Sequence, residues 1–405
     1  MDSLLNAAAR ALAAGDPLSA LNRVGLREDP PALALRGIAI AQLGDHERAL
    51  GLLKQAARLF GPRAPVARAR CIVAEADVCL AMRALQSFPR GIHNALDELE
   101  ARGDHTNALH GRLLLVRRCI LLGQLDRAAD ALERLQPSLA PPALQATAEL
   151  CRAEIDLRRV QATSALAALA RAEQLATKSH IPALVAEVRE AARLASQPAA
   201  RSISNDDERV LTLSDVERLF NSNAVIVDGC RRLLRQGAQT ISLARRPILF
   251  TLLERLGEQT AGASREALIL AAFGIRRAND SHRARLRVEI SRLRKLVGPL
   301  CDVEATPDGF RLLPRSGTTI QVLRPPLEGE AAALQALLAD GQAWSTSALA
   351  LALGESQRNV QRALAELLSA GRVRATGQGR ARRWLAPPLS GFTTTLLLPL
   401  DVAGG

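Results

Sequence analysis

Along the first half of the chain, leucine, alanine and valine recur three and four positions apart, with arginine, glutamate and glutamine between them. That period predicts a succession of amphipathic helices. Short bend-forming stretches interrupt it, among them Gly15-Asp16-Pro17, Gly61-Pro62 and Pro141-Pro142. Two segments match each other closely, LGDHERAL at 43–50 and LGQLDRAA at 122–129, with their glycines 79 residues apart. The separation is about twice a repeat of roughly 34–45 residues. Fainter copies centre on Ala20, Ala95 and Ala165. The unit is a helix, a turn, and a second helix that opens with a small residue so that its partner packs closely.

After residue 198 the period fails. PAARSISNDD is polar and reads as a linker; with the short helix TLSDVERLF, where Thr212 and Asp215 have capping spacing, it spans 199–222. β-Branched residues and glycine then increase, and AVIVDG, RRLLRQG and QTISL have the character of strands. PILFTLLERLGEQ is a periodic helix with Pro247 in its first turn. SREALILAAFG is a second helix, capped by Ser264 and ending near Gly274. The loop RRANDS offers Asp280 or Ser281 as the cap of a third, and DVEATPDGFRLLP follows as two short strands around a turn.

The third helix contains RARLRVEISRLRKLV, residues 283–297. At 100° per residue Leu286, Ile290, Leu293 and Val297 share a narrow arc. Opposite them lie Ala284, Val288, Ser291 and Lys295. Arg285 and Arg292 form one rim of that outer strip, and Arg287 and Arg294 the other, after Arg283 in the first turn. Small residues along the centre let the axis approach base edges, and the rims reach phosphate or guanine. Ala284 and Val288 are placed to meet thymine methyls. Three helices and a hairpin preceded by strands describe a winged helix.

A similar order recurs after LRPPLEG. In the helix from Ser356 to Ser369, Val360, Leu364 and Leu367 share one face, and Gln357, Arg358, Gln361 and Arg362 the other. Glutamine pairs well with adenine edges and arginine with guanine. The tip TGQGRARR sets glycines beside Arg380, Arg382 and Arg383, as in a wing that follows phosphates. Such modules also often serve in dimerisation, which stays open here as the alternative.

The bulk numbers bear on partners. The chain has 405 residues, enough for several domains, with a hydrophobic fraction of 48% and a charged fraction of 23%, typical of folded protein. Its formal net charge is +12, carried almost wholly by arginine since only Lys54, Lys178 and Lys295 are lysines. The excess points to a polyanion. The six cysteines form no CxxC pair, so reduced thiols in a cytoplasmic protein are expected, without metal. No uncharged run has the ~18 residues of a membrane span. P-loop, HExxH, GxSxG and kinase motifs are absent from the sequence, so no enzyme and no cofactor are expected.

Three resemblances follow. The Leu-Gly turn with its following alanine looks like a tetratricopeptide-type array, although aliphatics replace its usual aromatics; a plain helical bundle satisfies the same pattern. Residues 223–316 resemble the OmpR/PhoB-type effector domain through ISLARRPILFTLLERL, SREAL, LRVEISRLRKLV and TPDGFRL. That resemblance implies a third helix in the major groove, with base or phosphate contacts from Arg285, Glu289, Arg292 and Arg294, and Arg311 near the wing. The family's tryptophan-glycine pair is Phe273-Gly274 here, and the wing is shorter. No receiver domain is recognisable upstream, so receiver phosphorylation is not implied. Residues 328–388 are similar to MarR-like winged helices.

The expected fold is mainly α: a tetratricopeptide-like repeat array over 1–198, then two small α+β winged-helix domains at 223–316 and 327–388, with a tail at 389–405. The expected function is sequence-specific regulation of transcription in a bacterial cytoplasm. The partners are double-stranded DNA and a protein or peptide on the repeats, with no membrane, and a homodimer stays open. The rivals are a repeat scaffold whose winged helices contact proteins, and a non-specific nucleic-acid binder in a larger complex.

Overall fold

A computed structural model describes residues 3–13, 15–204, 207–315, 317–326, 330–338 and 343–386. The described chain is mainly α-helical and divides into two compact units, Met1–Ile155 with Ser164–Leu194, and Asp156–Thr163 with Ala195–Pro387. The tail expected at 389–405 lies outside the described residues.

The first unit is built from α1 (Ser3–Ala13), α2 (Pro17–Val24), α3 (Pro30–Gln42), α4 (His46–Phe60), α5 (Pro65–Ala81), α6 (Ile92–Ala101), α7 (His105–Leu121), α8 (Leu125–Glu133), α9 (Pro142–Arg158), α10 (Ala162–Ser179) and α11 (Pro182–Ala195). Ala20, Ala49, Ala95, Ala128 and Ala165, the small residues of the repeated unit, all lie near the starts of even-numbered helices and are buried. The preceding turns reverse the chain through one left-handed residue. Glycine fills that place at Gly15, Gly44 and Gly123, with φ of +76°, +91° and +73°, and so does Gly103 ahead of α7. Asp16, Asp45 and Asp104 then cap the next helix, each accepting from a backbone N–H three residues on. Across the unit, Arg117 of α7 pairs with Glu187 of α11, both buried.

The second unit runs β1 (Ala200–Ser204), β2 (Asp207–Leu211), α12 (Leu213–Phe220), β3 (Val225–Asp228), β4 (Leu233–Gln236), β5 (Gln239–Ser242), α13 (Pro247–Glu258), β6 (Ala263–Ser264), α14 (Arg265–Phe273), α15 (Asp280–Val297), β7 (Cys301–Ala305), β8 (Gly309–Pro314) and β9 (Ile320–Arg324). It continues through α16 (Glu330–Leu338), α17 (Thr346–Leu353), α18 (Gln357–Ser369), β10 (Arg374–Thr376) and β11 (Arg383–Leu385). One sheet has the order β2-β1-β9-β3-β4-β5, with β3 and β9 parallel and its other pairs antiparallel. A second has the order β6-β8-β7, and β10 pairs with β11.

The three helices α13, α14 and α15 close one core over these strands through Leu252, Leu256, Leu268, Ile290 and Leu293, joined by Val227 and Val322 from the sheet. Gly257 sets the distance of α13 from the sheet. A Cβ there would stand 2.9 Å from Val322 Cγ2 and 3.2 Å from Val227 Cγ2. A separate core around Leu338, Leu349, Leu364 and Trp384 holds α16, α17, α18 and the last hairpin together.

The expected linker at 199–222 is corrected by β1 and β2. These strands continue the sheet, and only α12, with its Thr212–Asp215 capping box, matches the short helix expected there. Every position of β2 but its last is exposed, so no alternation of apolar residues marks it in the sequence. The boundary at 316 is corrected as well, because β9 lies beyond it and separates β1 from β3 within the sheet. The cap of α15 is Asn279 rather than Asp280 or Ser281, with its Oδ1 accepting from His282 N at 3.0 Å.

Candidate nucleic-acid interface

The apolar stripe of α15 is complete. Leu286, Ile290, Leu293 and Val297 are each no more than 1% exposed. Burying each is worth about 1.5–3 kcal/mol, which keeps a helix this rich in positive charge docked on α13 and α14. Its other face is uncovered. Arg283, Ala284, Arg285, Arg287, Val288, Ser291, Arg292, Arg294 and Lys295 are all exposed, Val288 at 51%. Val288 thus lies exposed between arginines on this face.

The arginines are restrained to different degrees. Arg285 stacks on Phe273 with its guanidinium carbon 4.2 Å from the ring centroid. Arg292 pairs with Glu289 at 2.9 Å, and Arg283 with Asp280 at 3.3 Å and Glu266 at 3.5 Å. Among the described residues Arg287 and Lys295 form no ion pair. Two assignments change. Glu289 is mostly buried at its side chain (12% exposed) and orients Arg292 rather than projecting outward. Arg294 spends its Nε on the Val303 carbonyl at 2.7 Å, tying the helix to β7, so fewer of its donors remain for a ligand.

The β7–β8 hairpin stands beside this helix. Its turn is closed by Thr306 N donating to the Gly309 carbonyl at 3.0 Å and braced by Arg265, which donates to the Pro307 carbonyl at 2.7 Å. Arg311 is exposed on β8 and paired with Glu304 at 2.8 Å. Arg276 and Arg277 are also exposed, in the turn that leads into α15. In the sequence the turn has the character of a loop only, and the paired arginines beside a helix start are the signal that marks it.

In the second module Gln357, Arg358, Gln361 and Arg362 are exposed together on α18, opposite buried Val360, Leu364 and Leu367. Arg382 is exposed and stacks on Trp384 at 4.5 Å. Arg383 is half-buried on β11 and donates to the Arg382 carbonyl at 2.9 Å, so it departs from the expected free wing residue. Arg380 lies in a short 3-10 turn, Gly379–Ala381, and its side chain is outside the described residues. No protein-family model, curated protein or solved structure matches the chain.

Other chemistry is poorly supplied. Among the described residues no three His, Cys, Asp or Glu side chains are gathered so as to hold a metal ion. Burial pushes the Cys71, Cys151 and Cys301 thiols up to about 12 and Cys79 to about 11, which suppresses the thiolate a nucleophile needs. No helix among the described residues is long and apolar enough to cross a membrane.

Proposed function

We propose that the chain is a sequence-specific DNA-binding transcriptional regulator acting in the cytoplasm. In this reading β3 to β8 and the three helices among them form an OmpR/PhoB-like winged helix. α15 enters the major groove, and the β7–β8 hairpin lies against the neighbouring backbone. The single observation that carries the reading is the outer face of α15. Its arginine rims and small central residues are uncovered, while an aliphatic stripe of opposite character anchors it. The paired helices of the first unit are a tetratricopeptide-like array through which a protein or peptide signal acts, without receiver phosphorylation. The second module is a MarR-like winged helix that extends the footprint through Gln357, Arg358, Gln361 and Arg362.

The test is a mobility-shift titration of the full chain on genomic and random duplexes across salt, followed by footprinting upstream of its own coding region. Salt-steep binding and one protected site are expected. Arg285→Ala and Arg292→Ala are each expected to cost about 1–3 kcal/mol at that site if they read bases. A chain that retains no duplex at low salt, or binds equally well without these arginines, is not a DNA reader of this kind.

A further inference from the structure

Beside the start of α13 the second unit has an open cleft of about 720 Å³. Its walls include Arg231 before β4, Arg245 and Arg246 on the approach to α13, Leu296 in the last turn of α15, and Trp344 and Arg383 from the second module. Four arginines line it and no carboxylate does. Arg231 is held by Asp228 at 4.0 Å, and Arg383 donates to a neighbouring carbonyl. Arg245 and Arg246 are exposed and form no ion pair among the described residues. Cations gathered in a concave site repel one another and focus the field there, so an anion is the fitting occupant.

Position narrows the choice of anion. Leu296 follows Arg292 by four residues and so lies on the same flank of α15. The hairpin stands on the other flank, where Arg294 bonds Val303. A duplex laid on the outer face of α15 would therefore have one backbone near the hairpin and the other near the cleft.

We propose that this cleft seats phosphate esters of the same duplex that α15 reads, so that the second module grips the backbone jointly with the first. The proposal rests on the regulator reading and adds a partner surface that it did not assign. Arg245 and Arg246 supply the charge, and the second module forms the far wall.

The test compares the full-length chain with its Arg245→Ala/Arg246→Ala double variant on the footprinted duplex and a random one, each across salt. Two lost phosphate contacts are expected to lower the slope of log affinity against log salt by about two. Both duplexes should weaken by the same factor, leaving the discrimination ratio unchanged. The Arg245→Lys/Arg246→Lys variant should restore most of the slope, because a phosphate contact needs only a point charge. A circular-dichroism melt shows whether both variants fold.

An unchanged slope in the folded alanine variant, or a lysine variant no better than alanine, overturns the cleft proposal and leaves the α15 reading standing. Absence of DNA binding by the parent chain at every salt overturns both. ATP and inorganic pyrophosphate are titrated separately against tryptophan fluorescence. Saturable binding of either that leaves DNA affinity untouched would assign the cleft to a free nucleotide or phosphate and overturn the backbone contact.

Discussion

Leu293 and Arg292 are neighbours in sequence and do opposite work, one wholly buried under α15 and the other projecting from it. Leu293→Ala removes methyl groups from the centre of the three-helix core and should destabilise the second unit by about 2–5 kcal/mol in denaturant unfolding. A loss under 1 kcal/mol would mean that the stripe is not packed as described. Asp228 supports a pH prediction. Burial raises its pKa above the ordinary 3.8, although Arg231 beside it and the backbone N–H groups of Arg231 and Cys230 pull the other way. The folded chain then holds a proton that the unfolded chain has released. Stability falls as pH rises from 3.8 through the raised value. In Asp228→Asn that part of the decline should vanish, so the unfolding midpoint of the variant gains on the parent across this window. A pH-independent difference would refute it. The outward positions of α15 were legible because a helix has one period and four aliphatics fix its phase. The reassignment of Glu289 and Arg294 was not, because it depends on how side chains meet an adjacent turn of the helix and the backbone of the strand that follows it, which the helical period does not give.

Between elements, the pairing of Arg117 with Glu187 bridges α7 and α11, which are far apart in the chain. Burial, the largest influence, pulls the Arg117 pKa down, yet Glu187, Cys151 and Glu154 around it together outweigh burial and hold the group above its usual value. Glu187→Ala removes the hydrogen-bonded carboxylate of a buried guanidinium and should cost about 3–5 kcal/mol in the first unit. Replacing both partners with apolar residues of similar size should recover most of that loss, and a double variant as unstable as the single would contradict the account. The helix pairs were visible in sequence where glycine takes the left-handed turn position, as at Gly44 and Gly123. They were faint where Arg83, Val160 and His180 take left-handed conformations, with φ between 55° and 59°, because no residue type announces the turn there. Strands β1 and β2 escaped for a related reason. The exposed edge strand β2 needs no apolar alternation, and the other neighbour of β1, β9, lies more than a hundred residues away.

At the scale of the molecule, a net charge of +12 is spread over both halves of the chain, so it points to a polyanion as partner and says little about where one would sit. Location came from the uncovered face of α15 and from the carboxylate-free cleft beside it. The sheet order makes a prediction about boundaries. A fragment of 223–316 lacks β1, β2 and β9, leaving Val227 and Gly257 without Val322. It should expose apolar surface and bind a hydrophobic dye, whereas 195–326 should melt cooperatively. Cooperative unfolding of the shorter fragment would show that β9 is dispensable. The same order governs synthesis. The first two strands leave the ribosome with one edge unmatched, and the strand that seals it follows only after α13, α14, α15 and the strands among them have been made. At about 5–20 residues per second, that edge stays open for about 5–20 s. A nascent chain of this protein is therefore expected to need shelter from chaperones during that interval, and slow codons within it would lengthen the exposure.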